Sequence, residues 1–286
     1  MKIYIHTDIE GVAGMVHFED RNDTSVWNYH HRKRMHALLT GEVNAAIEGA
    51  LAAGATEILV NDSHGSGYSI IFEELNPAAQ IIHGPLTRQP FWMPCFDKSI
   101  HALICVAQHA MAGTNGVLAH SAWDVNGIQF GEAGMAMAIA GYYDVPCVFC
   151  SGDNVATAQV KALVPQMATV AVKEALSPYN AKSWTPQRAR EMIREGVKKG
   201  LERRRDIPPF KIAPPYKIGH PPAPGKPPTS VLEGDDFIAV VKQRLCQTYH
   251  YDLQDLPNWP MEPGHHQPAL PKSLLKKWLE EQKQAT

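Results

Sequence analysis

Met1-Lys2-Ile3-Tyr4-Ile5-His6-Thr7-Asp8-Ile9-Glu10-Gly11 opens the chain. An apolar strand runs straight into two carboxylates one residue apart, and then into a glycine that permits a turn. Side chains two apart on an extended backbone leave from the same face, so Asp8 and Glu10 can reach one point in space. Like charges that close raise each other's pKa unless a proton or a cation lies between them. A divalent metal meets that demand. The plainer reading is a turn or helix cap, which Gly11 and Gly14 would also allow.

The same arrangement, a strand ending in polar residues, recurs down the chain. A strand is expected over 57–61, ending in Asn61-Asp62-Ser63-His64-Gly65, and another over 100–107, ending in Gln108-His109. A short apolar piece at 117–119 ends at His120-Ser121. A hairpin strand over 125–130 leads to Gly131-Glu132 and a helix over 135–142, and 145–150 reads as a further strand. A helix is expected over 29–53, with Leu38, Ala45, Ala46 and Ala50 on its apolar stripe and Gly54 as its cap. Thr185 and Pro186 suit the start of a charged amphipathic helix reaching about residue 204.

This alternation predicts an α/β fold, a three-layer α/β/α arrangement on a largely parallel sheet, with a smaller α+β part. From Pro208 to Pro228 the chain becomes proline-rich and reads as an extended arm rather than core. Residues 230–245 are expected to form one small strand and helix, and 273–284 a helix with Leu274, Leu275, Trp278 and Leu279 on its apolar face. The expected division is a catalytic α/β domain over 1–205, and a proline-rich arm with C-terminal extension over 206–286.

Composition excludes several function classes. With 286 residues, 44% hydrophobic, the chain can bury a full core. Its 27 basic and 29 acidic side chains leave a formal charge of −2, with no basic run to serve as a nucleic-acid footprint. A small substrate is therefore expected, with neither nucleic acid nor membrane as a partner. No apolar stretch approaches the roughly 18 residues of a membrane span, and the acidic residues at 8 and 10 interrupt any signal-peptide profile, so a cytoplasmic location is expected. Five cysteines do not suggest a disulfide framework. Cys147 and Cys150 lie three apart in a strand and so face opposite sides, which argues against a shared metal.

Asp8, Glu10, His64, His109 and His120 thus fall at or just beyond expected strand ends, and Glu132 at a helix start. Ligands of open parallel sheets bind outside the carboxyl ends of the strands, so all six can converge in one crevice. Nitrogen and oxygen donors without sulfur suit hard-to-borderline divalent metals, and their number exceeds what one catalytic zinc takes. With one carboxylate bridging, two histidines and the three carboxylates match two ions, a pairing suited to hydrolysis, and His120 is left over as a sixth group. His120 is either a proton carrier beside the metals or a histidine hydrogen-bonded to backbone. His6, two residues before Asp8, is expected to support a ligand from behind. His17, His30, His31 and His36 are expected to be solvated, and His265 and His266 exposed.

Asp8-Ile9-Glu10-Gly11, Asn61-Asp62-Ser63-His64-Gly65, His109, Gly116-Val117-Leu118-Ala119-His120 and Gly131-Glu132, in this order, resemble the zinc-dependent D-aminopeptidase family of the bacterial dipeptide-transport operon. The resemblance spans residue 1 to about 175. It implies two zinc ions per chain, held by Asp8, Glu10, His64, His109 and Glu132 with Asp8 bridging, and it makes His120 the catalytic nucleophile or proton carrier. It further implies aminopeptidase action on short peptides, often releasing D-amino acids, in a homodecamer of two stacked pentameric rings. The chain departs from that family after Pro208, which leaves the channel and the oligomer contacts open. Two rivals use the same residues. One is a metal-dependent amidase or another metallohydrolase such as a phosphoesterase, against which stands the lack of a basic cluster near the motifs, Arg88 excepted. The other is a non-catalytic metal-binding scaffold.

Overall fold

A computed structural model describes residues 1–20, 23–65, 67–84, 91–221 and 230–249, with side chains to 245. The expected helix over 273–284, His265, His266, Arg88 and the arm's residues 222–228 lie outside the described residues.

Seven strands form the main sheet, in the order β3 (Gln80–Ile82), β2 (Glu57–Asn61), β1 (Lys2–Thr7), β4 (Ala102–Gln108), β7 (Cys147–Asp153), β8 (Ala168–Ser177) and β9 (Asn180–Ser183). All neighbours pair in parallel except β8 with β9, which are antiparallel. The centre is the most apolar part. Every residue of β4 and of β7 is buried, which explains why they read as continuous apolar runs rather than alternating ones.

Helix α1 (Val26–Ala52) returns the chain from β1 to β2 and packs along α4 (Pro186–Glu202). The opposite direction is taken from β4 through α2 (Glu132–Tyr142) to β7, and through α3 (Asn154–Leu163) to β8. Right-handed crossovers running opposite ways put α1 and α2 on opposite faces, which gives the three layers. It also makes the gap between β1 and β4 the point where the winding reverses. There the carboxyl ends of two adjacent strands open a crevice.

A second sheet is antiparallel, in the order β11 (Leu232–Gly234), β10 (Tyr216–Gly219), β5 (Trp123–Val125) and β6 (Ile128–Phe130). Together with α5 (Phe237–Tyr249) it covers α2, which explains why residues 133 to 141 of that helix are buried all round instead of on one stripe. Tyr216 and Ile218 are in the core. The proline-rich stretch is thus not an arm throughout: β10 pairs with β5 from earlier in the chain.

Other expectations shift locally. The strand expected over 125–130 is two strands, β5 and β6, folded about Asn126-Gly127 with φ of 55° and 81°, a tight hairpin turn that asparagine and glycine favour. Residues 117–119 are turn and coil rather than strand. Helix α1 begins three residues earlier than expected because Ser25 caps it, its side chain accepting from the Asn28 amide at 3.2 Å. Thr185 takes the cap position of α4 without a side-chain capping bond.

Candidate metal centre

β1 ends at Thr7, so Asp8 and Glu10 do not lie on an extended strand as the spacing suggested. They converge because the chain turns: the Asp8 amide donates to Val106 O at 3.0 Å and the Gly11 amide to Ala107 O at 2.8 Å, both on β4. A Cβ at Gly11 would stand 2.3 Å from the Ala107 carbonyl carbon and the Gln108 oxygen, so only glycine permits this approach. His64 follows β2 in a turn braced by Asp62, whose carboxylate accepts the amides of Ser69 and Ile70 at 2.8 and 2.9 Å. His109 follows β4 directly, and Glu132 is the first residue of α2. His120 sits on a loop pinned by Asp153, which caps α3 with one oxygen and accepts the Val117 amide at 2.7 Å with the other.

These side chains meet as two adjoining groups. Asp8, Glu10 and His64 offer ligand atoms within 4.8 Å of one another, and so do His109, His120 and Glu132. Asp8 links them, with Oδ2 3.5 Å from His109 Nε2, while Glu132 Oε1 is 3.7 Å from the same nitrogen. His64 Nε2 lies 3.3 Å from Glu10 Oε1. Each histidine has its other nitrogen bound away from the centre: His64 Nδ1 to Ser69 Oγ at 3.0 Å, His109 Nδ1 to Ala110 O at 2.7 Å, and His120 Nδ1 to Leu118 O at 2.8 Å. A backbone carbonyl only accepts, so it fixes the proton on Nδ1 of His109 and His120 and turns each Nε2 inward, the tautomer a metal or proton site needs. The rings of His109 and His120 stack at 3.9 Å.

The electrostatics ask for positive charge. Burial and the neighbouring Glu10 push the Asp8 carboxyl well up. Burial acts the same way on Glu10, but the His64 imidazolium outweighs it and holds Glu10 well below the usual carboxylate range. Against their own burial, His64 is lifted to about 9, chiefly by Glu10, and His109 to about 10, chiefly by Asp8. Glu132, despite its partial burial, is held at about 2 by the adjacent His109 imidazolium. Asp8 Oδ2, Glu10 Oε2 and His109 Nε2 are buried without a hydrogen-bond partner. Divalent ions would supply the charge, displace the imidazole protons and occupy those three atoms, so the donor set suits a pair of zinc-like ions.

A cleft of ≈ 390 Å³ opens above the centre, with Asp8, Glu10, His64, His120 and Glu132 in its lining; His109 lies beneath. Its walls include Phe18, Trp92, Trp123 and His220, and among the described residues no lysine or arginine lines it. Sequence reasoning missed Glu19, whose carboxylate also lines the cleft and lies 3.6 Å from His64 Nδ1, held by Arg32 at 2.9 Å and His36 at 3.0 Å. His36 is thus engaged rather than solvated. No spacing in the sequence marks this group, because its members come from a loop and from the buried side of α1. His6 lies under the site, its ring against Asn61, Ser63 and the edge of Trp92, and burial pulls its pKa to about 4. Cys147 Sγ lies 3.9 Å from Cys105 Sγ, while Cys150 turns elsewhere, so the C-x-x-C spacing forms no site.

Residues 1–219 match a family model, the M55 peptidases, described as D-aminopeptidase. A D-aminopeptidase of Bacillus subtilis (strain 168) is 32% identical over 216 residues, which is 73% of this chain and 77% of that protein. Among solved structures, the Zn-dependent D-aminopeptidase DppA from Bacillus subtilis, a self-compartmentalizing protease, is similar with a TM-score of 0.74 and 27% identity, covering 87% of this chain and 97% of its own.

Proposed function

The chain belongs to the D-aminopeptidase family of metallopeptidases, and from that premise we propose that it is a zinc-dependent aminopeptidase that removes the N-terminal residue, a D-amino acid among them, from short peptides. The observation that carries this reading is the cleft itself: two adjoining ligand groups under an acidic lining with no lysine or arginine among the described residues. With Asp8, Glu10 and Glu132 committed to the ions, Glu19 is the remaining lining carboxylate for the free ammonium of a peptide N-terminus, and among the described residues the lining offers a phosphate ester no lysine or arginine.

In this reading Asp8, Glu10, His64, His109 and Glu132 would hold two zinc ions. Bound there, the ions supply Lewis acidity, polarising the scissile carbonyl and bringing the pKa of a water from 15.7 to roughly 7. His120 works beside them. Its Nδ1 proton is committed to Leu118 O, so Nε2 is the atom free to take a proton from the attacking group and return it to the leaving amine. Asp153 holds the loop that carries it. Phe18, edge-on to the His120 ring at 5.2 Å, narrows water access on that side.

Two further elements belong to the proposal. The similarity to a self-compartmentalizing protease supports a homo-oligomer; that it is built of two stacked pentameric rings with the clefts facing inward is part of the proposal. The free thiols of Cys95, Cys105, Cys147 and Cys150 support a reducing compartment such as the cytoplasm. Among the described residues no helix is long and apolar enough to cross a membrane.

The test is a panel of D- and L-N-terminal di- and tripeptides, N-blocked peptides, amides and phosphate esters, run alongside metal analysis. Turnover confined to free-amine peptides, with about two zinc ions per chain, is the expected result. Activity only on blocked or amide substrates would make the protein an amidase, and tight zinc binding without turnover would make it a scaffold.

A further inference from the structure

Lys173 is buried in β8 with 2% exposure, among the largest fully buried side chains of the molecule. Lysine is almost never found there unless its charge is engaged. Its ammonium Nζ donates to the backbone carbonyl of Glu10 at 2.5 Å and to that of Met15 at 2.6 Å. Those carbonyls bracket residues 11–14, the part of the turn that directly follows the two acidic ligands. The turn is tied at other points too: the Ala13 amide donates to Glu42 Oε1 of α1 at 2.9 Å, and the Gly14 amide to Ser183 Oγ of β9 at 3.2 Å. Asp153, Glu42, Glu10 and Asp8 all act on the ammonium electrostatically. Lys173 is not among the residues lining the cleft, and no step of the proposed reaction uses it.

An apolar side chain of similar length would fill this space without the desolvation cost of a buried cation. The charge therefore serves something other than packing. Carbonyl oxygens that face inward after a turn need donors, and a donor carrying three protons can fix two of them from one atom. Fixing the carbonyl of Glu10 itself and that of Met15 at the far end, while β4 holds the Asp8 amide, limits how far the carboxylates of Asp8 and Glu10 can move relative to His64 and His109.

We propose that Lys173 is a positioning residue for the metal centre, clamping the carbonyls of Glu10 and Met15 so that the turn presents both carboxylates in ligating geometry before an ion arrives. This rests on the reading of Asp8 and Glu10 as zinc ligands. Preorganisation of that kind appears in metal affinity and in the ligand field, with activity following from them.

The experiment compares the full-length wild type with Lys173→Met. Zinc affinity is measured by competition with a chromophoric chelator, the visible absorption is recorded after cobalt substitution, and the metal-free proteins are melted in excess chelator. Lys173→Met is expected to bind zinc about 10- to 100-fold more weakly, with a shifted cobalt band, whatever the change in metal-free melting temperature. A lowered metal-free melting temperature with unchanged zinc affinity and cobalt band would make Lys173 a structural residue and overturn the proposal. Should the methionine variant not fold, Lys173→Gln, which is shorter and uncharged, is expected to bind zinc more weakly than the wild type, and wild-type affinity in it would overturn the proposal equally. A wild-type protein that binds no zinc would instead sink the metal reading itself, an outcome visible before any variant is made.

Discussion

His120 is the residue on which the chemistry turns, because its position permits two roles. Its free Nε2 faces the cleft as a proton carrier would, yet the ring also stands within ligand distance of His109 and Glu132. His120→Gln separates them. As a proton carrier, its loss should lower kcat by about 10²- to 10⁴-fold while zinc content stays unchanged; a drop in bound zinc would make it a ligand instead. Glu42 offers a second check at this scale. Burial, opposed by the Ala13 amide, Lys173 and Arg190, raises its carboxyl from 4.5 to about 7. A raised folded value means that the native state holds the proton more tightly. The resulting stability is complete below pH 4.5 and is lost as pH rises through about 7. Glu42→Gln carries no such charge, so the metal-free variant should gain on the metal-free wild type between pH 5 and 8, by at most about 3 kcal/mol. Chemical denaturation across that range measures it, and a constant difference would refute it. The six residues of the centre were legible because metal-binding side chains stand out after apolar strands. Glu42 and Lys173 were not: a lysine within a strand and a glutamate within a helix read as solvated, and only the third dimension shows both buried against the Asp8–Met15 turn.

Among the elements, the crossing of the β1 turn over the end of β4 does most to assemble the site. Gly11 allows it on one side, and on the other a Cβ at Gly152 of β7 would lie 2.0 Å from the same Gln108 oxygen. Gly11→Ala must push the turn away from β4, which should cost about 1–3 kcal/mol in stability and lower zinc occupancy with it. Thermal denaturation and metal analysis of the purified variant test this, and full zinc occupancy would show that the turn tolerates the displacement. The central strands were legible from long apolar runs, since a strand buried on both faces needs no alternation. β3, β8 and β9 carry no such signal. β3 has three residues, and β8 mixes buried Val172 and Lys173 with exposed Glu174 and Leu176. Such a pattern identifies a strand only once its neighbours are known. The hairpin of β5 and β6 was half legible, for its apolar ends were seen and the Asn126-Gly127 turn between them was not.

For the molecule as a whole, the question is what covers its exposed apolar side chains. Phe18, Trp27 and Tyr29 near the start of α1, and Leu176, Tyr179 and Trp184 around the β8–β9 hairpin, are between 41% and 67% exposed. The two sets meet where Phe18 and Tyr179 stand 6.5 Å apart, and Phe18 is itself a wall of the cleft. Clustered apolar surface of this kind marks an interaction site more often than a solvated face. A second copy seated there would complete the cleft's rim, and in a closed assembly it would restrict entry to short peptides. This feature was not legible from composition, since its residues belong to a loop, a helix and a hairpin far apart in sequence; the second sheet, joining 123–130 to 216–219 and 232–234, was hidden by the same sequence distance. Leu176→Asp with Tyr179→Asp places two charges on the patch without touching a ligand. The double variant should sediment as a smaller species than the wild type while still binding zinc. If the patch also gates the cleft, its selectivity between dipeptides and longer peptides should fall, with dipeptide hydrolysis retained. Sedimentation velocity at matched concentrations decides the first point, and competition between peptides of two lengths decides the second. An unchanged sedimentation coefficient would place the oligomer contacts elsewhere on the surface.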